Sequence, residues 1–332
     1  QKLYDQSRKP DLEKNEIGLE IARLKLKKVE QEIIYESVEA YTNLVLNNKK
    51  LEINLLNVSL LERQVETDRA RLEKGEINLT DVAQSEASLA GANAKLIQVR
   101  NDIVTSKLIY EKTIGKINNS EEVNESYVFK YKLPNNLKEA NIISKQFSPE
   151  LNIVKLELEQ ANKDVAIAKS DLSPSATLSF QATQTDDTSS TYDESDKETL
   201  KATVSWPFSL GGKNLSSLRK NKSLRDQKAL LLEDAKRSNE TLVSSAWSNF
   251  KSSKSLLNSI RVQVKASEIA NEGISIEYES GLGRSTLDVI QSNSILLDAK
   301  NNLATSLRNH FLSQYKLLLA LGQLTALNLS LN

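Results

Sequence analysis

A long internal repeat constrains this chain more than any other feature. Tyr278 to Lys300 reads Tyr-Glu-Ser-Gly-Leu-Gly-Arg-Ser-Thr-Leu-Asp-Val-Ile-Gln-Ser-Asn-Ser-Ile-Leu-Leu-Asp-Ala-Lys, and a weaker copy, Leu72-Glu-Lys-Gly-Glu-Ile-Asn-Leu-Thr-Asp-Val-Ala-Gln-Ser, lies about two hundred residues earlier. In both, a helical pattern stops at glycine, a few residues turn, and a new amphipathic pattern opens around Asp-Val, as where one helix ends and another is capped. Each copy is therefore expected to be the tip of a helical hairpin. Ala40-Tyr41-Thr42-Asn43 matches Ala246-Trp247-Ser248-Asn249, and Gly75 matches Gly281, at an offset of 206. Past the tip, Asp81-Val82 matches Asp288-Val289 and Gly115 matches Gly322 at an offset of 207. One residue is inserted at the second tip, within Gly281-Leu282-Gly283.

Beyond the tips the two copies keep one heptad ladder. Val82, Ser85, Leu89, Ala92, Leu96, Val99, Ile103, Ser106 and Tyr110 correspond to Val289, Ser292, Leu296, Ala299, Leu303, Ser306, His310, Ser313 and Leu317. A sustained 3-4 spacing is a coiled-coil seam, and its Ser and Ala positions let neighbouring helices approach closely. Such a match is read as a structural duplication before anything else.

Ten glycines and five prolines in 332 residues leave few turns, so the elements must be long. From Asp11 to about Leu72 three apolar stripes succeed one another, the last being Leu51, Leu55, Val58, Leu61 and Val65. Sixty helical residues span roughly 90 Å at about 1.5 Å per residue. Leu79 to Ile114 is the returning arm. Residues 116–148 differ: they are Asn-rich, with a possible short strand at Tyr127 to Tyr131 and a short helix near Leu137 to Lys145. Ser148-Pro149-Glu150 then supplies a cap, a first-turn proline and a first-turn acid for a helix to about Ser170. Asn214 to Glu279 and a final helix to about Leu321 complete the second copy, and Gly322 to Asn332 is an uncharged tail. Gln1 to Pro10 reads as a short non-helical lead-in. Because residue 1 is Gln, any signal peptide is expected to have been removed with whatever preceded it.

Between the copies the period changes from helix to strand. From Ser175 to Thr183 the even positions are Ala176, Leu178, Phe180 and Ala182 among polar neighbours; from Leu200 to Ser209 they are Leu200, Ala202, Val204, Trp206 and Phe208. Each run is a strand with one apolar and one polar face. Such strands, closed into a barrel, suit a lipid-facing wall around a wet lumen. The connecting segment, with Asp186, Asp187, Asp193, Glu194, Asp196 and Glu198 against Lys197, is expected to be a solvated, mobile loop.

Several function classes are excluded or weakened by composition. The 44 basic and 44 acidic side chains cancel, giving no reason to expect nucleic acid as a partner. Without cysteine there is no disulfide, thiolate nucleophile or Cys-ligated metal, and a single histidine removes most zinc and acid–base constellations. No enzyme, cofactor or metal site is therefore expected. No apolar run reaches the roughly eighteen residues of a transmembrane helix.

The two Gly-to-Asp-Val tips, Phe147-Ser148-Pro149-Glu150-Leu151, Val165-Ala166-Ile167-Ala168 leading to Leu172-Ser173-Pro174, and Trp206-Pro207-Phe208-Ser209-Leu210-Gly211-Gly212 occur in an order and spacing that resemble the TolC-like outer membrane efflux protein family. The resemblance covers essentially the whole chain. It implies a mainly α fold with a small β part, internally duplicated: long antiparallel α-helical hairpins forming an α-barrel tunnel, plus transmembrane β-barrel strands. Residues 1–115 would be the first repeat's hairpin, 116–148 an equatorial linker, 149–172 a helix leading into the barrel, 173–212 an outer-membrane β-hairpin with an acidic external loop, 213–322 the second hairpin and 323–332 the tail. An N-terminal helix and a first β-hairpin would be missing, with Leu3-Tyr4-Asp5 ending the first repeat's strand opposite Phe208 to Leu210.

The resemblance further implies a homotrimeric exit channel in the outer membrane, extending into the periplasm of a Gram-negative bacterium and contacting outer-membrane lipid. It would passively conduct substrates delivered by an inner-membrane transporter and a periplasmic adaptor (membrane fusion protein), in multidrug efflux or type I protein secretion. The adaptor would dock on the tips at Gly75, Gly281, Leu282 and Gly283. Polar links between neighbouring tips would hold the channel closed, with Thr80 and Asp81 facing Tyr278 and Arg284. Asp288 would form the constriction ring, and the second acid of that ring is here Gln291, leaving three acids rather than six. Arg284 keeps the family's spacing to Asp288, whereas Tyr278 lies one residue further off because of the insertion.

Plainer readings stand beside these. Asp81 and Asp288 serve as helix caps, alone or in addition to gating; Arg284 and Tyr278 are solvated hairpin residues or gate residues. His310 is a packed or partly exposed structural residue. Trp206 belongs to a membrane-boundary belt or to sheet packing in a soluble domain. The alternative function is a periplasmic or soluble coiled-coil scaffold or adaptor without a pore, which accounts for the heptads but not for the two alternating strands.

Overall fold

The computed structural model describes residues 1–116, 127, 129–189, 192–207 and 212–329, with the side chains of 187–189 and 192–195 left aside. In chain order the elements are β1 (Lys2–Tyr4), α1 (Arg8–Glu73), α2 (Leu79–Thr113), α3 (Leu137–Phe147), α4 (Pro149–Ser170), β2 (Ser175–Ser189), β3 (Tyr192–Ser205), α5 (Lys213–Glu279) and α6 (Thr286–Ala320). Both long helices are continuous, and both are followed by a short turn and a 35-residue helix, so the duplication seen in sequence is a duplication of structure. The fold is mainly α with a small β part. Among the described residues no helix is apolar enough over sufficient length to cross a membrane.

The chain forms two compact units, and each contains part of both repeats. The first comprises residues 1–28 and 145–240. Here the lead-in is shorter than expected: Lys2–Tyr4 is a strand, and α1 starts at Arg8 because the Asp5 carboxylate accepts from the Ser7 N–H at 2.9 Å and the Ser7 hydroxyl at 2.6 Å, forming a turn ahead of the helix. Pro10 falls in the first turn, where its missing N–H costs nothing. The Ser148 hydroxyl caps α4 and Pro149 opens it, as the sequence predicts. Lys163 to Glu13 (2.8 Å) and Lys14 to Asp164 (2.7 Å) tie α4 to α1, and Lys228 to Glu157 (2.7 Å) ties it to α5. Partly exposed pairs of this kind contribute well under about 1 kcal/mol each and act mainly as register marks.

β1, β2 and β3 form an antiparallel sheet in that order. The register pairs Ala176 with Val204, Leu178 with Ala202 and Phe180 with Leu200, so the apolar residues of both strands share one face. Thr177 with Thr203 and Ser179 with Lys201 share the other. Phe180, Leu200, Val204 and Trp206 are all more than 60% exposed on the apolar side, an arrangement that water does not favour. One expectation is corrected here. The acidic segment is not a long loop: pairing continues through Gln184 with Asp196 and Asp186 with Glu194 to Ser189 with Tyr192, with an irregularity after Asp186. Its Thr residues suit strand geometry, and exposure to solvent lets the carboxylates of Asp186, Asp196 and Glu198 remain hydrated while the backbone pairs. Phe208 to Gly211, and with them the second-repeat match of Leu3-Tyr4-Asp5, lie outside the described residues.

The second unit comprises residues 29–144 and 241–332. Its seam residues are the predicted ladder: Val82, Ser85, Leu96, Val99 and Ser106 are buried in α2, and Val289, Ser292, Ala299, Ser306, Ser313 and Leu317 in α6. One core cluster joins Ala140 of α3 to Val243 and Ala246 of α5 and to Leu317, Ala320 and Leu321. A second gathers Tyr315, Leu318, Leu324 and Leu329 with Phe129 and Tyr131. The possible strand at Tyr127 to Tyr131 has no strand pairing at Tyr127 or at residues 129–131, and Val128 lies outside the described residues. Its alternating aromatics pack instead on α6: Tyr127 on Phe311 at 5.2 Å, and Phe129 edge-on to Tyr315 at 5.4 Å. Period-two spacing here serves packing against a helix, not a sheet.

After α6 the chain turns at Gly322 (φ 72°), where a side chain would be strained, and runs back over α1. The Gln31 side-chain amide donates to the Gly322 carbonyl at 2.8 Å and the Glu30 carboxylate accepts from the Ala326 N–H at 2.9 Å. Residues 330–332 of the expected tail lie outside the described residues. His310 is a packed structural residue in the protomer: its ring stacks on Phe250 at 5.8 Å, and Nδ1 is 3.1 Å from the Ser253 hydroxyl. Burial and nearby Lys254 and Arg261 lower its pKa.

Candidate functional site at the hairpin tips

Both tips are built alike. At the first, the Gly75 N–H donates to the Leu72 carbonyl and the Glu76 N–H to the Arg71 carbonyl, both at 2.9 Å; at the second, Gly281 donates to Tyr278 (3.2 Å) and Leu282 to Glu277 (3.0 Å). This paired pattern closes a helix C-terminus through a left-handed residue, and Gly75 (φ 75°) and Gly281 (φ 69°) provide it. The next helices open on Asn78 and Ser285. The Asp81 carboxylate accepts from the Asn78 N–H at 3.1 Å, and Asp288 accepts from the Ser285 N–H at 2.9 Å while the Ser285 hydroxyl accepts from the Asp288 N–H at 3.2 Å. Two residues separate Gly75 from Asn78 and three separate Gly281 from Ser285, so the sequence insertion is absorbed by a second left-handed glycine, Gly283 (φ 80°).

The Ser285 backbone and hydroxyl bonds, with a smaller contribution from Arg284, hold the Asp288 carboxyl below the usual aspartate range, so it is ionised at neutral pH. Asp288 and Gln291 border a shallow hollow between α5 and α6 floored by Ala266, Ala270 and Ile295. Arg284 is exposed and pairs with Glu277 at 2.6 Å. Thr80 is exposed, as are Gly75, Gly281, Leu282 and Gly283, which form the outer surface of the tips.

Tyr278 is not a solvated hairpin residue. It is 4% exposed, and its hydroxyl donates to Asp68 Oδ1 at 2.7 Å and lies 3.0 Å from the Thr286 hydroxyl. The Arg71 guanidinium lies over its ring, 4.5 Å from the centroid. Burial raises the Tyr278 pKa, which keeps the phenol protonated and able to donate. Within the protomer, the bonds of Tyr278 and Arg284 thus run to Asp68, Thr286 and Glu277, while Asp81 is engaged by its own helix cap.

Sequence reasoning missed Asp68. It is fully buried and also accepts from the Ser85 hydroxyl and from the Gln64 amide at 2.9 Å. A signal was present: Val58, Leu61, Val65, Asp68 and Leu72 continue one 3-4 stripe, and a carboxylate at an apolar seam position requires partners. No cluster of metal-ligating side chains occurs among the described residues.

The outer membrane efflux protein family model matches residues 1–115 and 144–327. The chain is 27% identical over 311 residues to the outer membrane efflux protein BepC of Brucella suis, covering 93% of this chain and 67% of that protein. It is 24% identical to the outer membrane protein TolC of Vibrio cholerae, covering 98% and 75%. Its fold matches the CmeC outer membrane channel of Campylobacter jejuni with a TM-score of 0.81 at 13% identity, over 96% of this chain and 68% of that one. With the duplicated hairpins and the amphipathic sheet, these matches establish an outer-membrane protein that belongs to the outer membrane efflux protein family.

Proposed function

We propose that the chain is one protomer of a homotrimeric exit duct that passively conducts substrates delivered by an inner-membrane transporter and a periplasmic adaptor. In this reading the hairpins form a tunnel wall, residues 173–212 contribute strands to a closed transmembrane barrel, and the exposed tips at Gly75 and Gly281-Leu282-Gly283 receive the adaptor. No bond is made or broken in the cargo, so the chain acts as a conduit and not as an enzyme. The carrying observation is a duplicated chain that joins two long hairpins to strands whose apolar faces are shared and exposed. Such strands need lipid outside and further strands at both edges, because unpaired backbone is not tolerated in hydrocarbon.

Asp288 places an ionised carboxylate on the tip, where a ring contributed by three protomers would favour cations. The test is single-channel recording of the full-length protein in planar bilayers, with trivalent cations added at the tip side. Small cation-selective currents blocked by those ions are expected; a soluble, non-conducting particle would sink the reading. Alanine at Asp81 or Arg284 is expected to raise closed-state conductance, as links between tips are released.

A further inference from the structure

We propose that a hollow shared by the two hairpins, well away from their tips, is a binding site for a small amphipathic carboxylate. It has a volume of about 270 Å³ and lies between Asn57 and Leu61 of α1, Gly91 and Lys95 of α2, and Ile290 and Leu297 of α6. Asn57 is sixteen residues before the end of α1 at Glu73, roughly 24 Å along the helix at about 1.5 Å per residue. Asn57 is only 9% exposed, yet among the described residues its amide has no hydrogen-bond partner. Asn54, one turn earlier and also buried, donates to the Lys50 carbonyl at 2.7 Å. A buried amide without a bond is costly, and Asn57 lines the hollow, so its partner must come from there. Gly91 keeps the space open: a Cβ at this position would meet nothing within 4 Å, although glycine weakens a helix relative to alanine.

The polar groups of the lining are mostly donors. Asn293 Oδ1 already accepts from the Asn271 amide at 2.7 Å, which leaves the Asn293 side-chain NH2 to donate. The Lys95 ammonium uses one N–H on the Gln98 side chain at 3.1 Å and keeps two, and the Asn57 amide adds its own pair. Lys95 is also the one charged side chain in the lining. A carboxylate matches this set, since it only accepts and its bonds to charged donors are strong ones. Leu61, Ile290 and Leu297 supply an apolar wall for a short hydrocarbon body, the usual partition of a small-molecule site. The duplication does not repeat these features: the counterparts of Gly91 and Lys95, at the offset of 207, are Asp298 and Asn302. An acid in place of the glycine and an amide in place of the ammonium would repel such a ligand, so the site is written once per chain. Because α1 and α2 belong to the first hairpin and α6 to the second, the bound carboxylate ties the hairpins to each other.

The experiment titrates octanoate into the full-length protein in lipid nanodiscs, with empty nanodiscs as the blank and octylamine and octanamide as probes of the same length. Hydrogen exchange is followed at residues 54–61, 88–95 and 290–297. Octanoate is expected to saturate one site per chain and to slow exchange in all three segments, while octylamine does neither and octanamide binds more weakly. Asn57→Leu is expected to weaken octanoate roughly tenfold, the effect of losing a bond to a charged acceptor. Lys95→Gln is expected to weaken it and to flatten its salt dependence. Gly91→Leu, which fills the hollow without changing its charge, is expected to abolish binding. Equal protection by octylamine would show a groove that takes any apolar chain and would overturn the proposal, as would octanoate binding left intact in both Gly91→Leu and Asn57→Leu. The titration needs no current, so its outcome is separate from that of the conduction reading.

Discussion

At the scale of single residues, the tips show how one side chain is committed before it can do anything else. Asp81 and Asp288 both occupy the third position of a helix, and both carboxylates accept the N–H of their own cap residue. Asp288 stays below the ordinary aspartate value of 3.8 because those bonds favour its charged form. The sign is that of a depressed carboxylate: its contribution is present above the unfolded pKa and is lost as pH falls through the lower folded value. Reversal potentials measured at pH 7 and pH 5 are therefore expected to show the same cation preference, with selectivity falling only in stronger acid; Asp288→Asn is expected to weaken it at both. The caps were legible from Asp-Val after a glycine. Asp68 was passed over because an acid in a helix is usually solvated, and only packing of the second hairpin against the first makes it a buried acceptor.

The element scale separates helices from strands. Helix positions follow from period and caps: α2 and α4 begin where the sequence places them, and α6 opens two residues before its Asp288-Val289. Gly283 is an element-scale feature, since it lets a turn one residue longer end on the same kind of cap. Gly283→Ala puts a side chain into the left-handed region, with open space around it, and is expected to cost about 1 kcal/mol of local stability through backbone strain alone. Faster hydrogen exchange confined to residues 280–286 is the readout. The strands extend further than alternation alone indicated, because hairpin pairing carries through acidic residues that propensity assigns to a loop. If the apolar face meets lipid, Leu200→Lys is expected to cost up to about 2–4 kcal/mol and to reduce the protein recovered in outer membranes, whereas Thr199→Lys on the opposite face is expected to be tolerated. Equal recovery of the two variants would argue against a lipid-facing surface.

At the scale of the whole molecule, the two compact units and the two repeats divide the chain differently, and both divisions have physical sense. The repeat is a record of sequence; the units are a record of which side chains pack. The outer-membrane reading requires more strands than one chain supplies, so the full-length protein in detergent is expected to sediment as three copies, and a monomer of the same shape in lipid-mimicking detergent would count against the duct. Much of this protein was determined by its sequence alone: the duplication, the hairpins, the capped tips, the seam and the two-faced strands all depend on local period, glycine placement and short-range capping, which a one-dimensional pattern carries. Tertiary structure alone decided that Tyr278 turns inward to Asp68, that Tyr127, Phe129 and Tyr131 pack on α6 and not in a sheet, and that Gly322 returns the tail over α1. Each is a contact between residues far apart in sequence, and burial of a polar group or a ring is settled by what arrives from the other side.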